Sequence, residues 1–236
     1  MLNKKARDFY QNPQYIMDAA VYAISEKKQR TGTLQPFLPS PDDLVLELGC
    51  GCGVMQHIHP GYLGLDISRT ALKKVFRGLQ GITNSLPIKH NTIMLVFSFN
   101  TLEHLDEIET TFKEIDRVLK PGGVAFFSDA WLADMPYLSK VERLWRKFIS
   151  LIWRIESEYS LLSGLPTILR FWKLKPDYSP IALEGADRDA TIAIDARQVQ
   201  LWFASRGYRI LDETGTYQRC FSGMPKFVAV KKGVLK

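Results

Sequence analysis

At 236 residues the chain is long enough for one domain with a sizeable core and too short for two comfortable ones. Its composition, 46% hydrophobic and 24% charged, is that of a soluble globular protein, and no apolar run nears the roughly 20 residues that cross a bilayer. The net charge of +6 permits an anionic partner but names none, and residues 138–175 supply most of it: eight Lys or Arg against three acids.

Two helical patterns open the chain, around Leu2 to Tyr10 and Tyr15 to Lys28. This N-terminus does not pair basic residues with an apolar core and a small-residue cleavage site, so a cytoplasmic location is expected. A Pro-punctuated approach, PFLPSPDD, leads to short apolar strands that alternate with helical stretches. LVLEL and YLGLD read as strands, joined through a glycine-rich turn that opens a first helix. SRTALKKVFRGL reads as a helix with Ser68 as N-cap, followed by a short strand near GIT. IMLVFSF has the continuous apolar character of a strand buried on both faces of a parallel sheet. A helix from about Asp106 to Lys120 is expected to stop at Pro121-Gly122-Gly123, before the strand VAFFS. Residues 130–190 break the alternation and read as a helical lid insertion. DARQVQLWFASRGYRIL then gives a helix and a strand, and KFVAVKK a last strand.

The expectation is one α/β domain over residues 1–236. Its divisions are N-terminal helices (1–40), a core (41–129), the lid (130–190) and a C-terminal helix with strands (191–236). The three cysteines, Cys50, Cys52 and Cys220, are too few for a disulfide framework and are expected as thiols.

Three glycines at every second position, Gly49, Gly51 and Gly53, let a ligand approach the backbone at the carboxyl edge of the sheet. A dinucleotide fingerprint fails because its third glycine is Val54, and a phosphate-binding loop fails because no Gly-Lys-Ser/Thr follows. What fits is a nucleoside-like ligand without a pyrophosphate. Asp66 closes the second strand 19 residues after Glu47, where a carboxylate reaches ribose hydroxyls, and Glu47 beside the turn favours a cationic ligand.

LELGCGCG, YLGLDIS, NSLPI, SFNTLEHL and EIDRVLKPGG, in that order, resemble the class I S-adenosylmethionine-dependent methyltransferases, most of all the type 11 group. The resemblance covers roughly Asp43 to Ser128 and implies a Rossmann-like, doubly wound, mostly parallel seven-stranded sheet with an antiparallel last strand. It implies S-adenosyl-L-methionine as cofactor and S-adenosyl-L-homocysteine as product. Gly49, Cys50, Gly51 and Gly53 would line the methionine end, with Glu47 orienting the turn and the ammonium group. Asp66 would hold the ribose and Ile67 pack on adenine; Asn84, with Ser85 and Leu86, would meet the adenine edge, where the family more often has an acid. Asn100 would approach the methionine moiety. Met94 departs from the family, which commonly has Asp there.

If the acceptor is a hydroxyl, a base helps; His104 in LEHL is the nearest candidate, with Asp129 and Asp134 weaker and a purely structural His104 the rival reading. Cys50, Cys52, His57 and His59 match zinc spacings poorly, so no metal is expected. No Asp-Pro-Pro-Tyr-like motif, Pro-Cys pair or paired-glutamate loop points to a base amine, cytosine carbon or arginine, and charge without a reading motif disfavours nucleic acid. Residues 138–156 form a basic amphipathic pattern suited to covering the site or touching an anionic membrane. The C-terminal stretch from Glu184 weakly resembles methyltransferases of surface-glycan biosynthesis. The expected acceptor is a small-molecule, glycan or carrier-linked group, methylated at oxygen. The alternatives are a non-catalytic methyltransferase-like binding or assembly module and an RNA methyltransferase.

Overall fold

The computed structural model describes residues 9–105, 107–128, 196–214 and 226–232. The lid, the pattern at 138–156, Asp129, Asp134, Cys220 and most of the first N-terminal pattern lie outside the described residues. Seven strands form one sheet: β1 (Leu44–Leu48), β2 (Tyr62–Asp66), β3 (Gly78–Gln80), β4 (Ile93–Phe99), β5 (Leu119–Ser128), β6 (Arg209–Thr214) and β7 (Lys226–Val230). Their order is β3-β2-β1-β4-β5-β7-β6, parallel throughout except at β7, which runs antiparallel to both neighbours. This is the α/β, Rossmann-like sheet expected, with the last strand reversed.

Alternate residues of each strand feed two apolar layers. Leu46, Leu48, Val96, Ala125 and Phe127 face the layer covered by α3 (Ile108–Val118) and α4 (Ala196–Ser205). Val45, Tyr62, Leu95, Phe97 and Phe126 face the layer that also contains Leu34, at the end of α1 (Pro13–Leu34). A sheet covered on both sides needs unbroken apolar strands, which is why β1, β2 and β4 fall at LVLEL, YLGLD and IMLVFSF.

Elsewhere the boundaries shift. The helix expected directly after the glycine turn does not form: residues 49–58 run through successive turns, with Gly53 N–H donating to Cys50 O, Gln56 to Gly53 and Ile58 to Met55. Thirteen residues separate Leu48 from Tyr62, the glycine turn 49–53 takes five of them, and Pro60 closes the return. Only residues 54–59 lie between the left-handed Gly53 and Pro60, fewer than two helical turns. Ser68 caps a helix as expected, its Oγ accepting from Ala71 N, but that helix, α2, is the single turn Arg69–Leu72. β-Branched Val75 and the glycine at 78 favour the extended chain that follows, and β3 begins three residues before GIT. α1 runs on to Leu34, past Lys28. Pro121-Gly122-Gly123 does not end a helix; α3 stops at Val118 and the triplet sits within β5. There the pairing jumps from Ile93↔Leu119 to Leu95↔Val124, so the triplet is looped out of the ladder, with Gly122 at φ 83° against Met94.

Phe203 on α4 is fully buried among Phe112, Phe127, Phe227 and Tyr208, ring centroids 4.9–5.8 Å away. Phe203→Ala is expected to cost roughly 3–5 kcal/mol in urea denaturation by leaving a cavity between α4 and the sheet; a cost below about 1 kcal/mol would show that the C-terminal helix is not part of this core.

Candidate functional site

Strand order turns back on itself between β1 and β4, and open α/β sheets bind ligands at the carboxyl ends of such a pair. The glycine turn emerges there. Gly49, Gly51 and Gly53 all have positive φ (66°, 50° and 71°), a conformation that a side chain pays to adopt. The reason differs at each. A Cβ on Gly49 would stand 2.3 Å from Thr101 Oγ1, whose hydroxyl donates to Leu48 O at 3.1 Å and so ties the end of β1 to the end of β4. A Cβ on Gly53 would press on Val75 at 3.0 Å. A Cβ on Gly51 would meet nothing within 4 Å, so Gly51 borders open space.

Asp66 draws the turn and β2 together. Its Oδ2 accepts from Gly51 N at 2.8 Å and its Oδ1 from Ser68 N at 2.7 Å. Burial raises its carboxyl above the usual aspartate value, and the hydrogen bonds from Ser68, Gly51 and Ile67 pull the other way. Each oxygen keeps a lone pair for a further donor. Ile67 follows, half-buried, its carbonyl accepting from Gln11 Nε2 at 3.2 Å.

Glu47 is 4% exposed, yet carries a carboxyl. Desolvation pushes it up to about 8, against the hydroxyl of Tyr62, which donates to Oε2 at 2.5 Å, and the charge of Arg30. Arg30 reaches inward from α1, bonded to Glu26 at 2.8 Å and stacked 5.0 Å from the centroid of Phe99. Cys50 does not present its thiol to the turn's open side. The side chain is 6% exposed, burial raises the thiol well above its ordinary range, and the peptide N–H is given to Leu65 O.

The NSLPI loop is held by α3. Arg117 donates to Leu86 O at 3.0 Å and Ile88 O at 2.8 Å, and Glu114, paired with Arg117, accepts from Leu86 N at 2.7 Å. Leu86 is therefore a core residue with its peptide consumed, and Ser85 is exposed. Asn84 is different. Its Nδ2 donates to Glu107 Oε2 at 3.0 Å, and a carboxylate that only accepts fixes the amide's orientation. That leaves Oδ1 buried without a hydrogen-bond partner. Such a buried orphan costs stability.

Asn100, at the end of β4, has φ 51° and donates its N–H to Ser128 O, an uncommon backbone for a non-glycine residue. His104 ends the single 3-10 turn Leu102–His104, bonded by its N–H to Thr101 O, with its ring edge-on to Tyr10 at 6.2 Å. Glu47, the glycines, Asp66, Ile67, Asn100 and His104 thus all lie at the carboxyl ends of β1, β2 and β4 or in the segments that follow them, with Asn84 on the loop beyond β3. His59 is engaged elsewhere: its ring nitrogens meet Ser40 O and Gly61 N at 3.1 Å. Among the described residues no three His, Cys, Asp or Glu side chains are grouped to hold a metal.

A family model described as a methyltransferase domain matches residues 46–127, the span that carries these strand ends. Residues 46–127 are thus similar to the methyltransferase domains that this model describes. The chain is 30% identical over 149 residues to squalene methyltransferase 1 of Botryococcus braunii, covering 56% of this chain and 37% of that one. It is 30% identical over 113 residues to the malonyl-[acyl-carrier protein] O-methyltransferase of Marinomonas sp., covering 42% of each. The chain spans between 37% and 58% of the lengths of the curated relatives it matches. A solved S-adenosylmethionine-dependent methyltransferase from Thermotoga maritima superposes with a TM-score of 0.56 at 14% identity, covering 93% of this chain and 97% of that one, a likeness of fold.

S-adenosylmethionine is the cofactor of this family, and the core suits it in two places. Gly51 leaves room for a ligand, and Asp66 has acceptor capacity for a diol. Tyr62, Glu114, Arg117 and Glu107 were not apparent as site residues from the sequence; the only signal was the i,i+3 Glu114–Arg117 spacing within EIDRVLKPGG.

The two glycines separate fold from binding. Gly51→Ala is expected to cost roughly 1–2 kcal/mol in urea denaturation, the strain of a left-handed alanine. Gly49→Ala should cost a further 1–3 kcal/mol, roughly, because Thr101 cannot yield without releasing Leu48. Equal losses would contradict the Thr101 contact.

Proposed function

We propose that this chain is an S-adenosylmethionine-dependent methyltransferase acting on a small-molecule, glycan or carrier-linked acceptor, at oxygen. The observation that carries the cofactor half is the open space at Gly51 beside the Asp66 carboxylate, which already ties the glycine turn to the end of β2, with the loop that bears Asn84 held by Arg117 and Glu114. In this reading Asn84 Oδ1 accepts from the adenine amine, Ile67 packs on the ring and Asp66 takes the ribose hydroxyls. Gly49, Gly51, Gly53 and Asn100 border the methionine end, Cys50 contributes backbone shape alone, and Glu47 supplies negative charge for the ammonium group. Leu86 and Ser85 shape the adenine edge without a polar bond from Leu86.

When bound, the cofactor supplies a methyl group on a sulfonium sulfur, open to in-line displacement. The protein's tasks are alignment, exclusion of water and removal of the acceptor proton. His104 is the candidate for the last; in support, Thr101 bonds its backbone and also fixes Gly49's neighbour, Leu48. An imidazole nitrogen would take the hydroxyl proton as the oxygen attacks carbon. Support for the acceptor class comes from the relatives' substrates, a hydrocarbon and a carrier-linked malonyl group, and for oxygen from the second of these. Among the described residues no helix is long and apolar enough to cross a membrane. Peripheral membrane contact through 138–156 would suit a lipid-linked acceptor.

Screening acceptor pools with radiolabelled cofactor is expected to show methyl transfer to an organic or carrier-linked fraction. His104→Ala should lower turnover roughly 10²- to 10⁴-fold while leaving S-adenosylhomocysteine binding intact. Full turnover by that variant would remove His104 from the mechanism, and binding without any transfer would favour a non-catalytic module.

A further inference from the structure

We infer that Tyr62 is a positioning residue for the cofactor's charged end, its hydroxyl reaching along β2 across the gap left by Gly64 to fix the Glu47 carboxyl. The inference rests on the methyltransferase reading of the cleft and names a residue in it that neither glycine turn nor strand-end acid would suggest.

Glu47 and Gly64 are direct partners in the β1–β2 ladder, and Tyr62 lies two residues earlier on the same face. Side chains so placed stand several ångströms apart, and a residue at 64 would normally fill the space between them. Here that space holds the phenol tip and the thiol. A Cβ on Gly64 would stand 2.8 Å from Tyr62 Oη and 2.7 Å from Cys50 Sγ. The missing side chain is what allows the 2.5 Å bond from Tyr62 to Glu47 Oε2.

The groups facing Glu47 are few and come from three elements. Arg30 on α1 favours the carboxylate, Asp66 at the end of β2 opposes it, and buried Cys50 and Tyr62 are themselves pushed far above their ordinary ranges by desolvation. Tyr62 is consequently a donor at any ordinary pH. It is the short-range contact that offsets part of Glu47's desolvation, so the ionised form, the one that attracts an ammonium group, depends on it. The sign follows. Glu47 free of ligand is largely protonated below about 8, a cationic ligand end draws it into the carboxylate form, and binding near neutrality releases a proton. Without the hydroxyl, ionisation needs a higher pH.

Titration calorimetry with S-adenosylhomocysteine from pH 6 to 9, in buffers of different ionisation enthalpy, tests this on the full chain. The ligand's own amine titrates identically against every variant and drops out of the comparison. The wild-type protein should release a proton at pH 7, and Glu47→Gln should release none. Tyr62→Phe should bind roughly tenfold more weakly at pH 7, with its proton-release profile displaced to higher pH. A folded Tyr62→Phe whose affinity and profile superimpose on the wild type overturns the inference and leaves the methyltransferase reading standing. No binding by the wild-type protein at any pH overturns both. If Tyr62→Phe does not fold, a fluorotyrosine placed at 62, a stronger donor in the same space, should displace the profile to lower pH, and an unmoved profile overturns the inference equally.

Discussion

The hydrogen bond from Gly51 N to Asp66 is the constraint on which the cleft depends. It joins a turn with no helix behind it to the end of the neighbouring strand, and it orients the acid that closes that strand. Because residues 49–58 are held by short-range turns, Gly51 would have little to fix it without Asp66, and Asp66 would be a buried acid lacking one of its backbone donors. The positive φ at Gly51 aims the N–H at the carboxylate, so a single backbone choice sets both. Thr101 does the complementary work from β4, pinning Leu48 on the other side of the turn.

Two acids thus lie at adjacent strand ends, each raised by burial, and the charge of Asp66 raises Glu47 further. A fold gains nothing from such an arrangement by itself. It is sensible if a cation arrives, and α1 supplies a partial substitute in Arg30, buried over Phe99. The N-terminal segment adds a second tie: Gln11 bonds Ile67 O and accepts from Thr70 N–H at 3.2 Å, so residues ahead of the sheet help shape the site within it.

Much of this was legible in the amino-acid order. β1, β2 and β4 begin and end where their apolar runs do, since burial on both faces leaves no other reading. The motif residues fall at the carboxyl ends of β1, β2 and β4. What escaped was set by tertiary context. The turn after β1 forms no helix because three left-handed glycines and Pro60 leave only residues 54–59 between them. Pro121-Gly122-Gly123 reads locally as a helix stop but is looped out by the β4–β5 register. The left-handed Asn100, the Tyr62–Glu47 bond across Gly64 and the Arg117–Glu114 hold on NSLPI each join residues far apart in sequence or hidden by a glycine's missing side chain, and no periodicity reports them.

The central claim is that the main chain of the glycine turn and Asp66 together receive an adenosyl ligand. An NMR titration of 15N-labelled protein with S-adenosylhomocysteine tests it directly. The amides of Gly49, Gly51, Gly53, Asp66 and Ser68 should shift together with one saturation curve, while Gly122 and Gly207, at the far end of the sheet and beyond α4, stay in place. Shifts confined to residues outside that turn, or a response to nicotinamide dinucleotide in its stead, would contradict the account.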